Sequence, residues 1–244
     1  MKRAISLALC AMLAIVCLSG CVAVNLSYFN AAVGVGNLET YTVDAGEITE
    51  IRVELFCDVK CYAAASETVK FEIQPNLWEY IAIEESGGVL TVRSTRNITW
   101  SDKTPVLTVS TPALERVSLA GAGNFTALDT IAGDSLAFRL DGASSVSAEL
   151  DVAKLSVNMS GAGDINFSGK ADTADFDLSG AGRLDALRLQ TRKASVGLAG
   201  VGTVRVNCSE SLRIDAGGLG TVEYKGSPSI DLSKGGLVSV KKLD

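Results

Sequence analysis

Residues 157–167 read VNMSGAGDINF, and the same pattern recurs through the second half of the chain. Each unit begins with an apolar residue and most units carry glycine four and six positions later. The units start at Val117, Phe138, Val157, Phe176, Val196 and Ile214, and a degenerate seventh starts at Ile230. The intervals between starts are 21, 19, 19, 20, 18 and 16 residues. A short unit at a near-constant period predicts a solenoid, in which each unit buries its apolar face against its neighbours.

The columns of the repeat separate an inner face from an outer face. With the first residue as position zero, positions zero, two and eight are apolar in every unit, and position nine is polar in every unit. Paired glycines favour corners between strands over a helix, because each glycine destabilises a helix by about 1 kcal/mol relative to alanine. Leucine-rich repeats are disfavoured, since their leucine–asparagine spacing is absent and nothing between the units has helical periodicity.

The predicted fold class is therefore all-β, a right-handed parallel β-helix of about seven C-terminal coils. Short strands would meet at the glycine corners, and three ladders of apolar side chains would line the interior. Alternating apolar residues in the segment ITEIRVELFCDV (48–59) predict a β-rich N-terminal portion that continues the same core. At the other end, Lys241 and Lys242 are expected to discourage another strand from adding to the open edge.

The N-terminus has the pattern of an export signal. A basic Met1-Lys2-Arg3 precedes the apolar run 4–18, and Leu18-Ser19-Gly20-Cys21 then resembles the lipobox of bacterial lipoproteins. This resemblance implies lipidation of Cys21; the alternative is an ordinary secretory signal with an incidental cysteine. The expected organisation is a signal peptide (1–20), a tether (21–36), an N-terminal β portion (37–115) and the repeats (116–244). Lipid on Cys21 would anchor the chain to a membrane.

The amino-acid composition favours a binding protein over an enzyme. The net charge is −6 and the basic residues do not cluster, so nucleic acid is not an expected partner. The chain has no histidine, the commonest general base and metal ligand, and no cofactor, metal or catalytic residue is predicted. Cys57, Cys61 and Cys208 are predicted to be buried apolar residues. Cys57 and Cys61 could pair only if residues 58–60 turn sharply.

Two surface features invite a functional interpretation. Trp78, Tyr80 and Trp100 are candidates for a surface that contacts a sugar or a protein, although residues of this kind more often cover the end of a core. Position one is an outward column that includes acidic residues, which in other β-helices bind calcium or cleave polysaccharides. Gly197 interrupts the acids here, which favours a solvated face.

The phrase VSLAGAGNF (117–125), repeated as SGAGDI and SGAGRL, resembles the head GIN domain family, described as auto-transporter adhesins. The order of ELFCDV, FEIQPNLWEYIAIEESGGVLTVRS and VLTVSTPALERVSLAGAG also fits, so that the resemblance covers residues 48–240. The cysteine pair near the first strand departs from the family pattern. The resemblance implies an exported β-solenoid and transfers no catalytic residue.

These observations predict a non-enzymatic, lipid-anchored protein of the bacterial cell envelope, expected at the outer membrane. It would act as an adhesion, binding or scaffold module, with the membrane, an envelope protein or a glycan as partner. Two alternatives remain open, namely a β-helical enzyme acting on polysaccharide and a structural rod that associates with itself. The oligomeric state is left open.

Overall fold

The computed structural model describes residues 31–244, which contain 19 strands and one 3-10 helix. The helix, Pro75–Tyr80, lies between the fifth and sixth strands and is called the cap helix below. The N-terminal strands are β1 (Ala32–Val33), β2 (Glu39–Val43), β3 (Glu50–Val53), β4 (Asp58–Tyr62), β5 (Thr68–Ile73), β6 (Ile81–Ser86), β7 (Val89–Ser94), β8 (Ile98–Thr99) and β9 (Val106–Ser110). The repeat strands are β10 (Arg116–Leu119), β11 (Ala122–Ala127), β12 (Ile131–Leu140), β13 (Ala143–Met159), β14 (Ala162–Leu178), β15 (Ala181–Leu198), β16 (Val201–Ala216), β17 (Leu219–Lys225), β18 (Ser229–Lys234) and β19 (Leu237–Lys242).

The repeats stack as parallel coils and confirm the predicted all-β solenoid, which has about seven turns. Each unit pairs in parallel with the next, so that Val117 lies opposite Phe138 and Phe138 opposite Val157. The three predicted apolar columns are buried throughout the first six units. Stacked apolar ladders provide most of the core, since each fully buried side chain contributes about 1.5–3 kcal/mol before chain entropy is considered.

The strands are longer than the expected short segments. β13, β14, β15 and β16 have 17, 17, 18 and 16 residues, and each runs almost a full turn of the solenoid. Regular strand structure stops once per turn, at the first glycine of the repeat, as at Ser160-Gly161 between β13 and β14, although both of these amides still donate to the Leu140 carbonyl of the adjacent coil. The other bends do not end the strand, although the register shifts within the pairings of β14 with β15 and of β15 with β16.

The seventh unit is in a different register from the sequence alignment. Leu232, and not Ile230, lies opposite Ile214, and Val240, and not Val238, lies opposite Val222. The unit therefore starts two residues later than its apolar pattern suggests. This register places Gly236 at the corner, where it continues the glycine column of the preceding coils.

The N-terminal portion joins the same core, although its coils are not stacked in chain order. β10 pairs with β3, and β3 pairs on its other side with β7. β11 likewise pairs with β4, and β4 with β9. The coil of β3 and β4 thus lies between the coil of β7 and β9 and the first coil of the repeats.

The N-terminal end of the solenoid is covered. β5 runs antiparallel to β9 and to β2, and β6 runs antiparallel to β7. The cap helix connects β5 to β6 and buries Leu77 completely in the core. Antiparallel strands and an inserted leucine therefore close this end to further parallel coils.

Candidate ligand-binding surfaces

A shallow groove runs along one outer face of the repeat region. One part has a volume of about 670 Å³ and a neighbouring part about 550 Å³. The two parts share Arg116, Ala137 and Ser156, so we treat them as one surface and call it the lateral groove. Along the solenoid axis it spans about five coil spacings, on the order of 24 Å.

The strand register explains the lining of the lateral groove. Side chains alternate between the two faces of a strand, so residues two apart along the chain share the outer face. One outward ladder is Ala137, Ser156, Asp175 and Ser195. The ladder beside it is Ser135, Lys154, Thr173 and Lys193. Small and hydroxyl-bearing residues form the floor because five of these eight positions are serine, threonine or alanine.

The positive charges nearest the cap are already neutralised within the chain. Arg52 Nη2 lies 2.8 Å from Glu50 Oε1, and Arg116 Nη1 lies 3.4 Å from the other oxygen of that carboxylate. The Glu50 side chain is only 11% exposed, so two arginines compensate its burial. Arg139 Nε is paired with Asp141 Oδ2 at 2.7 Å. These arginines therefore contribute little net attraction for an anion.

Lys154 and Lys193 differ from those arginines. Both side chains are exposed, and neither forms an ion pair with any residue between 31 and 244. Both lie opposite Thr173, one on each side, so they are two coils apart, or about 10 Å along the axis. The sequence columns considered above did not identify this pair, because neither lysine lies in the block of eleven residues that repeats. Two ammonium groups above a floor of hydroxyls can bind an elongated polar ligand that carries spaced negative charges.

The three predicted aromatic contact residues lie at the covered end and are each half-buried against the core. Trp78 stacks on Tyr41 with ring centroids 4.1 Å apart and planes 7° from parallel. Tyr80 lies under Arg96, whose guanidinium carbon is 4.8 Å from the ring centroid. Trp100 is 6.5 Å from the ring of Phe56.

Each of these three aromatic residues therefore has a different neighbour, and each contributes to covering the end of the solenoid. Trp78 and Tyr80 belong to the cap helix, whereas Trp100 follows β8. A role for their exposed edges in contacting a sugar or a protein stays a prediction.

The cysteines in the described part of the chain are packed in the core. Cys57, Cys61 and Cys208 are buried and free, with no disulfide among them. Burial raises the pKa of Cys61 to about 12, and burial also raises the pKa of Cys57 far above its ordinary value. Such thiols are poor nucleophiles, because only the thiolate reacts readily.

The first residues that the structure describes, which follow the predicted lipid site in the sequence, are held against the cap helix. Cys21 lies outside the described residues. β1 pairs with β8, and the Asn76 side chain donates to the Val33 carbonyl at 2.8 Å while accepting from the Val35 amide at 2.9 Å. Residues 32–36, which we call the strap, therefore leave the domain at the end opposite the last coil.

Among residues 31–244, no group of three or more His, Cys, Asp or Glu side chains is arranged to hold a metal ion. The same part of the chain has no helix with the length and hydropathy needed to cross a bilayer.

Solved structures with this fold include proteins from Bacteroides and Parabacteroides species. A protein named as a putative adhesin from Bacteroides fragilis has a TM-score of 0.82 and 22% identity, over 87% of this chain and 100% of that one. A protein named as a putative lipid binding protein from Parabacteroides distasonis has a TM-score of 0.68 and 21% identity, over 88% and 100%. A putative adhesin from Parabacteroides merdae gives 0.64 and 21%, over 88% and 99%. At these identities the similarity establishes a shared fold.

No curated protein is similar enough to this chain to count as a match. The family model described as "Putative auto-transporter adhesin, head GIN domain" matches residues 47–228. That range contains β3 through β17, and therefore the coil inserted at the start of the solenoid as well as most of the repeats. The chain belongs to this head GIN domain family.

Proposed function

We propose that this protein is a non-enzymatic binding module of the bacterial cell envelope, anchored through lipid on Cys21. Its ligand is an acidic polysaccharide that lies along the lateral groove. Family membership indicates an adhesin-like protein of the envelope or the cell surface. The observation that carries the choice of ligand is the pair Lys154 and Lys193, two exposed cations that form no ion pair in direct contact among residues 31–244. They lie in a groove lined by hydroxyl groups, although the groove also contains Asp175 and Lys193 is attracted by Glu210.

The dimensions of the lateral groove fit a linear polymer. The coils repeat every ~4.8 Å, which is close to the length of one sugar unit in an extended polysaccharide. A chain parallel to the axis can therefore present similar groups to successive coils. Ser135, Ser156 and Thr173 supply hydroxyl groups for hydrogen bonds with sugar hydroxyls, and the lysines contact carboxylate or phosphate substituents.

The strap favours one orientation of the domain on a membrane. Lipid on Cys21 would hold the covered end of the solenoid nearest the bilayer, since the strap leaves the domain there. The lateral groove then extends away from the membrane and is accessible along its length. We place the anchor at the outer membrane, with the domain as the part that meets the glycan.

Binding is tested with purified protein and an array of neutral and acidic glycans. We expect binding to acidic glycans that weakens as salt is added, because screening reduces charge attraction. The double variant Lys154→Glu, Lys193→Glu should lower affinity at least about tenfold, since charge-assisted hydrogen bonds contribute about 1.5–3 kcal/mol each.

The matched control is the double variant Lys60→Glu, Lys225→Glu, which changes the net charge equally at two exposed lysines outside the groove. It should bind as the unchanged protein does. Equal loss in both double variants would show that only net charge matters, and binding unaffected by the groove variant would refute the proposed site. Release of shortened glycan would refute the non-enzymatic assignment.

Anchoring is tested separately by fractionating cells that express the full chain. The unchanged protein should sediment with membranes, and Cys21→Ala should appear in the soluble fraction. A Cys21→Ala protein that stays with the membrane would contradict the lipid anchor while leaving the groove proposal in place.

A further inference from the structure

The two ends of the solenoid differ in a way that concerns assembly. The N-terminal end is covered by β5, β6 and the cap helix, as described above. At the other end, β18 pairs only with β16 and β19 only with β17 within the described chain. These two strands therefore present one edge each with unpaired backbone amide and carbonyl groups.

The exposed end also presents apolar side chains. Ile230 is 42% exposed and Leu232 is 47% exposed, although Leu232 lies opposite the buried Ile214. Val240 continues the ladder of Val222 and is half-buried. The interior ladders thus end at the last coil without a cover from residues 31–244.

The sequence of the last coil is partly symmetric about Gly236, since three of the six residue pairs between positions 230 and 242 match. Residues at equal distances from this glycine include three pairs with matching character: Ser233 with Ser239, Leu232 with Val240 and Asp231 with Lys241. Members of each pair face the same way, since Leu232 and Val240 continue interior ladders and the flanking residues point outward. Apolar residues therefore match apolar residues, and opposite charges match each other.

We propose that the last coil is the interface of a symmetric dimer in which two copies of this chain meet at their C-terminal ends. A two-fold axis through the Gly236 corner places β18 antiparallel to β19 of the second copy. The interface then contains two Leu232–Val240 contacts in the interior and two Asp231–Lys241 ion pairs outside, where Asp231 also lies 3.8 Å from Arg213 of its own chain. Both open strand edges gain hydrogen-bonding partners, as in strand addition.

The covered end makes this assembly stop at two copies. A head-to-tail filament would require the last coil to add to the coil of β7 and β9, where β5, β6 and the cap helix already lie. The same closure distinguishes the dimer from the open-ended rod considered among the sequence alternatives.

Two lysines limit the strength of the dimer. Lys234 occupies an interior ladder opposite Ala216 and would face Val238 of the second copy. Lys242 would face Ile230 of the second copy in the same arrangement. Their ammonium groups must reach solvent while their methylene stems pack, which reduces the favourable burial. The dimer is therefore reversible and depends on concentration. Lys241, by contrast, contributes an ion pair to the dimer. From the sequence alone this lysine was expected only to discourage another strand from adding to the open edge.

The proposal is tested with the full chain in detergent by sedimentation equilibrium over a roughly hundredfold range of concentration. We expect a monomer–dimer equilibrium with no larger species. Asp231→Lys gives lysine at both outer positions, and Lys241→Asp gives aspartate at both, so each variant alone should be monomeric. A mixture of the two variants should dimerise again, because every outer pair is then of opposite charge.

Rescue by mixing cannot come from misfolded chains, so it separates the interface from a general loss of stability. The matched controls are Asp177→Lys and Lys60→Asp, at exposed positions on coils other than the last one. These control variants should associate as the unchanged protein does. A monomer at every concentration, variants that still dimerise alone, a mixture that stays monomeric, or growth beyond two copies would each overturn the proposal.

Discussion

The carbonyl oxygen of Gly142 occupies the space that a Cβ atom on Gly161 would need. The same relationship joins successive first glycines of the repeat from Gly121 onward. None of these first glycines has a positive φ angle, so the backbone conformation itself does not require glycine at these positions. The column is explained instead by the close approach of adjacent coils.

Gly161→Ala should therefore destabilise the solenoid. The added methyl group overlaps backbone atoms of Gly142 and Asp141, which cannot move away without disturbing the coil below. We expect the free energy of unfolding to fall by about 1–3 kcal/mol, as in overpacked cores. Chemical denaturation measures it. Gly133→Ala is the matched control, since Gly133 has open space around its Cβ position, and it should change stability by less than about 1 kcal/mol. Equal effects at both glycines would contradict this explanation.

Asn76→Ala should release the strap without unfolding the solenoid. The Asn76 amide forms two hydrogen bonds with the backbone of residues 33 and 35, and both are lost in the variant. We expect faster amide hydrogen exchange in residues 32–36 and an unchanged exchange rate in β13–β16. Asn158→Ala, in the lateral groove, is the control and should leave the strap protected. A strap that remains equally protected in Asn76→Ala would show that β8 and the Gln74–Gly36 hydrogen bond are sufficient to hold it.

The buried cysteines should make the fold less stable at alkaline pH. The pKa of the Cys61 thiol is raised to about 12 in the folded chain, and that of Cys57 is raised as well. Well below the ordinary cysteine pKa of about 8.5, both thiols are protonated in the folded and the unfolded states, so their ionisation does not change stability. As the pH rises through that value, the unfolded state loses protons that the folded state keeps, and stability falls by up to about 1.4 kcal/mol per pH unit for each thiol.

This slope is measured by denaturation between pH ~8 and ~11. The double variant Cys57→Ala, Cys61→Ala should show a shallower decline, together with a lower stability at neutral pH because buried volume is lost. Native protein should also react slowly with thiol reagents until it unfolds. Rapid modification of these cysteines in the folded state would contradict their burial.

Lys234→Leu should strengthen the proposed dimer. Lys234 lies in the same interior ladder as Ala216 and Leu198. The substitution removes the charge from this ladder and replaces it with leucine, the residue present two coils away. Because the substitution acts in both copies, we expect the dimer dissociation constant to fall by about tenfold or more, which corresponds to ~1.4 kcal/mol. Sedimentation equilibrium measures it, with Lys225→Leu as the control. An unchanged dissociation constant would mean that this side chain does not lie in the interface.

The repeat pattern was sufficient to predict the solenoid. A parallel coil contacts only the coils on either side, so each position must suit the same position one period away, and the glycine and apolar columns record this requirement directly. The prediction was wrong for the register of the last unit, because Ile230 and Leu232 are both apolar and two apart. Backbone pairing at the Gly236 corner selects Leu232.

The sequence by itself determined the class of fold, the spacing of the coils and the residues of the repeat interior, since all of these follow from local periodicity. Only the tertiary structure decided that β3 and β4 insert between β7 and β10 and that the cap helix closes one end. These features depend on contacts between segments that do not repeat and are distant in the chain, so no column of the sequence encodes them.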